Sequence, residues 1–351
     1  MKNHPANNKK NIWLLSAYRS ASHAAWTNWL IETFDEFNWH KLELSGRHFR
    51  WRIRGNPLSW LNKLPEVKPD LMVATSMVDL ATLKGLHPQL ANTPCFYYFH
   101  ENQFAYPTSN KQHESVDPQM VQLYGALAAD KIFFNSAYNR DSFLNGIDRL
   151  LKVLPDEVPD NITKQLKIKS QLLPVPISKI KPAKKKNPKL ILWNHRWEYD
   201  KAPEVFVDAL CKLDKMNIDF QLVLLGERPV KKPAALLEIE KKFTSKIIIN
   251  EKASKQDYQK YLSLSSIVVS TAIHEFQGLA MLEAVSAGAV PVVPDALCYA
   301  EQYADEFRYT ANDSDALAEK LIAFLTSLPI SPDVSFWYSD KLKQQWREIL
   351  S

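Results

Sequence analysis

Only 8 of 351 residues are glycine, and only three are cysteine: Cys95, Cys211 and Cys298, well separated and odd in number. Such thiols do not make a disulfide scaffold. Each sits in or beside an apolar run, so they read as buried reduced thiols of a cytoplasmic protein. No run approaches the ~18 uninterrupted apolar residues of a membrane span. The leading MKNHPANNKK is polar and passes into IWLLSA, too short for a signal-peptide core, so no targeting signal is read. Gly-x4-Gly-Lys and Gly-x-Gly-x-x-Gly are both missing, which disfavours P-loop NTPases and dinucleotide dehydrogenases. No His or Cys cluster has metal-ligand spacing. Charge of one sign barely dominates: 44 Lys and Arg against 39 Asp and Glu, net +5. That permits an anionic partner (a nucleotide, RNA or an acidic membrane surface) without demanding one.

What is present is 46% hydrophobic composition on a chain long enough for two domains. In the first half, strand-like apolar runs fall at 12–17, 70–76, 95–99, 131–136 and 171–177. In the second they fall at 189–194, 220–226, 246–250, 266–271 and 289–294. Runs apolar on both faces suit parallel sheets covered by helices on each side. Helical spacing separates them, as in Ser20–Phe34, Val205–Leu213, Pro233–Phe243, Gln256–Leu264 and Leu279–Ala287. The alternation in both halves predicts α/β architecture, two Rossmann-like doubly wound domains. A first domain spans 1–177 and a second 190–330, with the lysine- and proline-rich 178–189 as linker. The segment 331–351 reads as a C-terminal helix able to pack back on the first domain.

Two motifs in the second domain carry chemistry. In His274-Glu275-Phe276-Gln277-Gly278-Leu279-Ala280-Met281-Leu282-Glu283, two Glu lie eight apart across a strand-to-helix loop. Gly278 lets backbone approach a ligand, and the helix start beyond it favours an anion such as a diphosphate. Glu283 is placed to accept hydrogen bonds from vicinal hydroxyls. The same residues also fit a capped helix with solvent-facing Glu. In Trp193-Asn194-His195-Arg196-Trp197-Glu198-Tyr199-Asp200-Lys201, the cations Arg196 and Lys201 share one strand-to-helix loop. Such a pair can hold a diphosphate, or simply form surface salt bridges with Glu198 and Asp200.

Arg, Lys five residues on, and Glu-x7-Glu resemble the retaining nucleotide-sugar glycosyltransferases of GT-B fold, family 4. The resemblance implies two domains facing a central cleft, with Arg196 and Lys201 on the donor diphosphate. It also implies Glu275 at the donor sugar, with Gln277, Gly278 and Leu279 beside it, and Glu283 at the ribose. The runs SASHAAW (20–26), YYFHENQFAYP (97–107) and FNSAYNRDSFL (134–144) are similar to those of tRNA-queuosine α-mannosyltransferases. That likeness implies transfer of mannose from GDP-mannose to the cyclopentenediol of queuosine in a tRNA anticodon. No metal or other cofactor is implied. His100 falls where the family places a group at sugar and acceptor, and Ser22, His23, Glu101 and Asn102 are expected on the acceptor side. Asp313-Ser314-Asp315 spells the Asp-x-Asp of metal-dependent glycosyltransferases, but the helical ALAEKLIAFL after it makes it a helix cap.

One departure stands out: the first strand-to-helix loop, Ala17 to His23, has no Gly where the family commonly has a pair. Arg19 or the helix start at Ser20 is the candidate substitute for phosphate contact. At Arg47-His48-Phe49-Arg50-Trp51-Arg52-Ile53-Arg54, an extended chain would put Arg50, Arg52 and Arg54 on one face for RNA contact. The same pattern fits an edge strand with its charges in water. The alternatives are another nucleotide sugar carried to a lipid, glycan or small molecule, a sugar-nucleotide epimerase or phosphorylase, and a non-catalytic sugar-nucleotide or RNA-binding module.

Overall fold

The structure, a computed structural model, describes residues 9–106 and 115–351. Most of the polar leader and Pro107 of the first-half motif lie outside the described residues. The chain forms two compact units, one reaching to Pro174 and taking in Trp346–Ser351, the other running Val175–Gln345.

The first unit is built on a six-stranded sheet of order β2-β1-β3-β4-β5-β6. Its strands are β1 (Asn11–Arg19), β2 (Asn38–Ser45), β3 (Leu71–Thr75), β4 (Cys95–Phe99), β5 (Lys131–Phe134) and β6 (Ser170–Leu172). Every pairing is parallel. Strands β3 and β4 are buried at every position, because helices cover both faces. Strand β2 was not anticipated. As an edge strand it buries only Leu42, so NWHKLELS shows no apolar run. Trp346, from the last turn of the helix Ser339–Leu350, stacks near Trp26 and Tyr98, and its indole N–H donates to the Pro174 carbonyl.

The second unit has β7 (Asn187–Trp193), β8 (Gln221–Leu224), β9 (Ile247–Asn250), β10 (Ser265–Val269), β11 (Val290–Pro294) and β12 (Arg308–Tyr309). Their order is β12-β11-β10-β7-β8-β9, again all parallel. Connections leave in opposite directions from β7 and β10, so the switch point of the sheet lies between these neighbours. A crevice at the carboxyl ends of such a strand pair is where doubly wound folds bind ligands. The run 178–189 is less of a spacer than it reads: β7 already begins at Asn187, and the Lys186 ammonium donates to the Ser265 carbonyl at 2.6 Å. Asp313 is a helix cap, its carboxylate accepting from the Asp315 and Ala316 amides. The three thiols are free, and Cys211 is only partly buried rather than in a core.

The arginine-rich segment is not extended. Phe49–Trp60 is a helix, and it continues through Pro57. Proline has no N–H for the Ile53 carbonyl one turn back. The buried Asn56 side chain supplies the missing donor, its amide reaching Ile53 O at 3.1 Å and Arg52 O at 2.8 Å. On a helix, Arg50 and Arg54 stay on one side while Arg52 turns away. Arg52 is held by the Ser45 carbonyl and hydroxyl, and Arg54 by Asp79 at 2.7 Å.

Candidate active site

The loops after β7 and β10 bring the two second-unit motifs together. Lys201, only 6% exposed, donates to the His274 carbonyl at 2.8 Å and to Glu275 Oε2 at 3.2 Å, with Asp200 Oδ2 also at 3.2 Å. Arg196 is half-exposed, bonded to Glu198 at 2.8 Å and 3.8 Å from Asp200. Burial alone would lower the Lys201 pKa, but Glu275 and Asp200 outweigh it and raise it. Burial would likewise raise the Glu275 carboxyl; Lys201, His195 and the Gly278 amide instead hold it at about 2. Both groups are therefore charged at neutral pH.

Two cations here face three carboxylates, so they do not by themselves make an attractive site for an anion. The helix Leu279–Ser286 adds what they lack. Gly278, at φ +64°, turns the chain into it, and no side chain caps its first turn. Its leading N–H groups and the half-exposed Arg196 supply the positive potential. Nearby, buried Asn194 Oδ1, His195 Nε2 and Asp200 Oδ1 lack hydrogen-bond partners among the described residues. Buried acceptors without a donor call for ligand hydroxyl or N–H groups, while the uncapped helix start suits an anion, so together they fit a polar ligand that carries both.

Glu283, inside that helix, accepts from the Tyr258 hydroxyl at 2.8 Å, and Asn194 donates to the Ala280 carbonyl at 2.7 Å. Burial raises the Glu283 pKa against the opposing Tyr258 bond. Gln277 has a different task. It is buried, and its amide pairs with both backbone groups of Val175, at 2.9 and 2.7 Å, so its side chain fixes the start of this unit. Gly226, at φ +96°, closes the β8 end of the site, and a Cβ there would stand 2.0 Å from the His195 carbonyl oxygen. Gly226→Ala is expected to cost on the order of 2 kcal/mol or more and to displace the Arg196 loop. Urea unfolding together with donor affinity checks this; an unchanged pair of values would mean the loop absorbs the methyl group.

In the first unit His100 follows β4 and His23 lies in the first turn of the helix Ala21–Thr33. Their rings stack with centroids 4.2 Å apart, and Trp26 and Tyr98 meet His100 edge-on at 4.6 and 4.7 Å. The His23 Nδ1 bonds the Tyr18 carbonyl at 2.8 Å, so that nitrogen carries the hydrogen. Burial pushes the His23 pKa down to about 4, and burial and His23 push His100 well below its ordinary value. His100 is therefore a neutral, ring-clamped group whose buried Nε2 has no hydrogen-bond partner among the described residues. Ser22 is exposed and shares its hydroxyl with Ser20, and Glu101 is partly exposed.

Asn102 is not placed to touch a ligand. It is fully buried, donating to Asn139 and Ser142 and accepting from the Phe104 and Ala105 amides. In the Gly-free first loop the half-exposed Arg19 pairs with Glu43 at 2.9 Å, and Ser20 caps the helix through the His23 amide. Sequence reasoning missed Asn194, His195, Asp200 and Tyr258 as site members. The first three lie on the same loop as Arg196 and Lys201, whose cationic charge is the stronger signal for a diphosphate. Tyr258 carried no signal, since its helix is an ordinary amphipathic one.

Comparison with known proteins follows the same division. Residues 11–177 match the family described as tRNA-queuosine alpha-mannosyltransferase N-terminal, and residues 175–332 match the glycosyl transferases group 1 family. Over 330 residues the chain is 33% identical to the tRNA-queuosine alpha-mannosyltransferase of Drosophila melanogaster, covering 90% of this chain and 87% of that protein. The sucrose-phosphate synthase of Thermosynechococcus elongatus aligns with TM-score 0.73 at 11% identity, over 97% of this chain and 98% of that one. Anabaena HepE in complex with UDP aligns with TM-score 0.68 at 13% identity, over 97% and 99% of the two chains. At such identities the solved structures speak for the GT-B fold alone. With the relative's identity and coverage, they make this chain a GT-B glycosyltransferase belonging to the tRNA-queuosine alpha-mannosyltransferase family.

Proposed function

We propose that the protein transfers mannose from GDP-mannose to the cyclopentenediol of queuosine in tRNA, with retention of anomeric configuration and without a metal. The observation that carries the donor side is the Lys201–Glu275 pair set beside the uncapped helix at Gly278. Arg196, Lys201 and the helix N–H groups receive the diphosphate and stabilise the charge that grows on it as the glycosidic bond breaks. Glu275 orients sugar hydroxyls near Leu279, and Glu283, steadied by Tyr258, accepts from the ribose. In the same-face reaction the leaving diphosphate oxygen takes the acceptor's proton, so no protein base is required. On the acceptor side His100 offers a neutral imidazole to a hydroxyl, with Ser22, His23 and Glu101 beside it.

The Drosophila relative's name supports the acceptor, and the paired carboxylate and ammonium support a nucleotide-sugar donor. Radiolabelled GDP-mannose is incubated with the protein and with tRNA that contains or lacks queuosine. Label is expected to enter only the modified tRNA. Equal labelling of both would remove queuosine as acceptor, and labelling from UDP-glucose but not GDP-mannose would replace the donor.

A further inference from the structure

The helix Phe49–Trp60 carries a feature that neither its own fold nor the donor site uses. Trp51 is 49% exposed, in a segment (46–60) that holds four Arg and no acidic residue. A Cβ built on Gly55, one turn later, would lie 2.6–2.7 Å from three adjacent atoms of the Trp51 ring. Near-equal distances to three ring atoms place Gly55 under the flat face of the indole. The inner face is thus pressed on the helix backbone and the outer one is open to solvent. Glycine inside a helix is unfavourable by ~1 kcal/mol relative to alanine. Here only glycine lets the ring lie flat. Arg50 and Arg54 flank it at one-residue and three-residue spacing, and Asp79 holds the Arg54 guanidinium at 2.7 Å. Arg47 is exposed just ahead of the helix, and Leu58, 61% exposed, extends the same side.

We propose that Trp51, seated on Gly55, is a stacking platform for an unpaired base of the RNA acceptor, with Arg47, Arg50 and Arg54 receiving the adjoining phosphates. The proposal rests on the reading that the acceptor is tRNA. A planar aromatic face among guanidiniums is what single-stranded RNA binds: every base has a face to stack, and the backbone supplies the negative charge. An anticodon loop, where queuosine resides, offers such unpaired bases. The stripe differs from the extended Arg50, Arg52 and Arg54 face expected earlier, because Arg52 is turned away onto Ser45.

The test titrates fluorescent queuosine-containing tRNA against the full-length protein and its variants over a series of KCl concentrations. Trp51→Ala is expected to weaken binding roughly 5- to 140-fold, the range for one base–aromatic stack. Arg47→Ala and Arg50→Ala are each expected to flatten the salt dependence by about 0.7 in log–log slope, one phosphate contact on a single strand. Gly55→Ala should keep or raise the thermal midpoint, since alanine favours helix, while weakening tRNA binding because the methyl group lifts the ring. That opposite pair of signs separates docking from folding. GDP-mannose binding by the same variants reports on the second unit. If the wild type binds tRNA and Trp51→Ala and Gly55→Ala bind it equally well, the platform is wrong and the acceptor reading stands. If the wild type binds no tRNA, the acceptor reading itself falls. Loss of binding to phosphatidylserine vesicles in Trp51→Ala, with tRNA binding unchanged, would assign the stripe to a membrane surface and overturn the proposal.

Discussion

Lys201→Ala is expected to lower transfer by at least about 100-fold and to destabilise the second unit by roughly 3–5 kcal/mol. The two losses have one origin. The Lys201 ammonium is the group that Glu275 Oε2 and Asp200 Oδ2 both meet at 3.2 Å, and it is almost fully enclosed. Removing it leaves two neighbouring carboxylates, one of them buried, with only the half-exposed Arg196, 3.8 Å from Asp200, as compensating charge. A partner removed from a buried pair costs far more than the pair itself contributes, because the remaining charge keeps its desolvation penalty. Arg196→Ala is the informative contrast. Its guanidinium is half-exposed and its bond to Glu198 lies at the surface. Such pairs contribute about 0–1 kcal/mol, so Arg196→Ala should leave the urea midpoint nearly unchanged. Its transfer rate should still fall by about 100-fold if the guanidinium meets the diphosphate. Rates from single-turnover transfer and midpoints from urea unfolding decide both points. A Lys201→Ala protein with wild-type stability would mean that the carboxylates find other partners, and the electrostatic account of the site would fail with it.

The sequence revealed the strands best where the physics leaves least choice. A parallel strand covered on both faces must be apolar throughout, so LMVAT and CFYYF announce themselves. The edge strand β2, with one buried side chain, does not. The Arg47–Trp60 region failed for a different reason. Alternating Arg and apolar residues fit a strand, and Gly55-Asn56-Pro57 argues against a helix. What rescues the helix is a tertiary fact, the Asn56 amide standing in for the proline N–H while also reaching the Met77 carbonyl. No local rule contains that. Within the site, the charged residues were legible because each motif follows an apolar run onto a strand-to-helix loop, whereas the adjacency of those two strands is seen only in the sheet order. Polar but uncharged residues were not legible. Asn102 and Gln277 look like ligand contacts and are spent on the scaffold, whereas Asn194 and His195 look incidental and keep unsatisfied atoms at the crevice.

Acidification between pH 6.5 and about 4 is expected to destabilise both units before Glu275 titrates. His23 and His195 are buried, one in each unit, and burial pushes each pKa down to about 4, with the Lys201 charge adding to the effect at His195. Once unfolded, both return to about 6.5. Across that window the unfolded chain binds protons that the native one refuses, so stability falls as pH falls and levels off below the native value. Two and a half pH units at about 1.36 kcal/mol per unit give about 3 kcal/mol for each imidazole. His100, pressed against His23, loses stability in the same direction. Glu275 acts in a separate and lower window: its pKa of about 2 gives stability present above about pH 4.5 and lost toward pH 2. The urea midpoint should therefore drop steeply from pH 7 to 4.5, and His23→Phe should reduce the slope in the first unit while leaving the second unit's intact. A flat midpoint over that range, or a His23 resonance titrating near 6.5, would contradict the buried neutral pair. The same pair limits what acid does to catalysis. Burial and His23 hold His100 well below its ordinary pKa, so near neutral pH it stays an uncharged imidazole and transfer should not follow a His100 titration there.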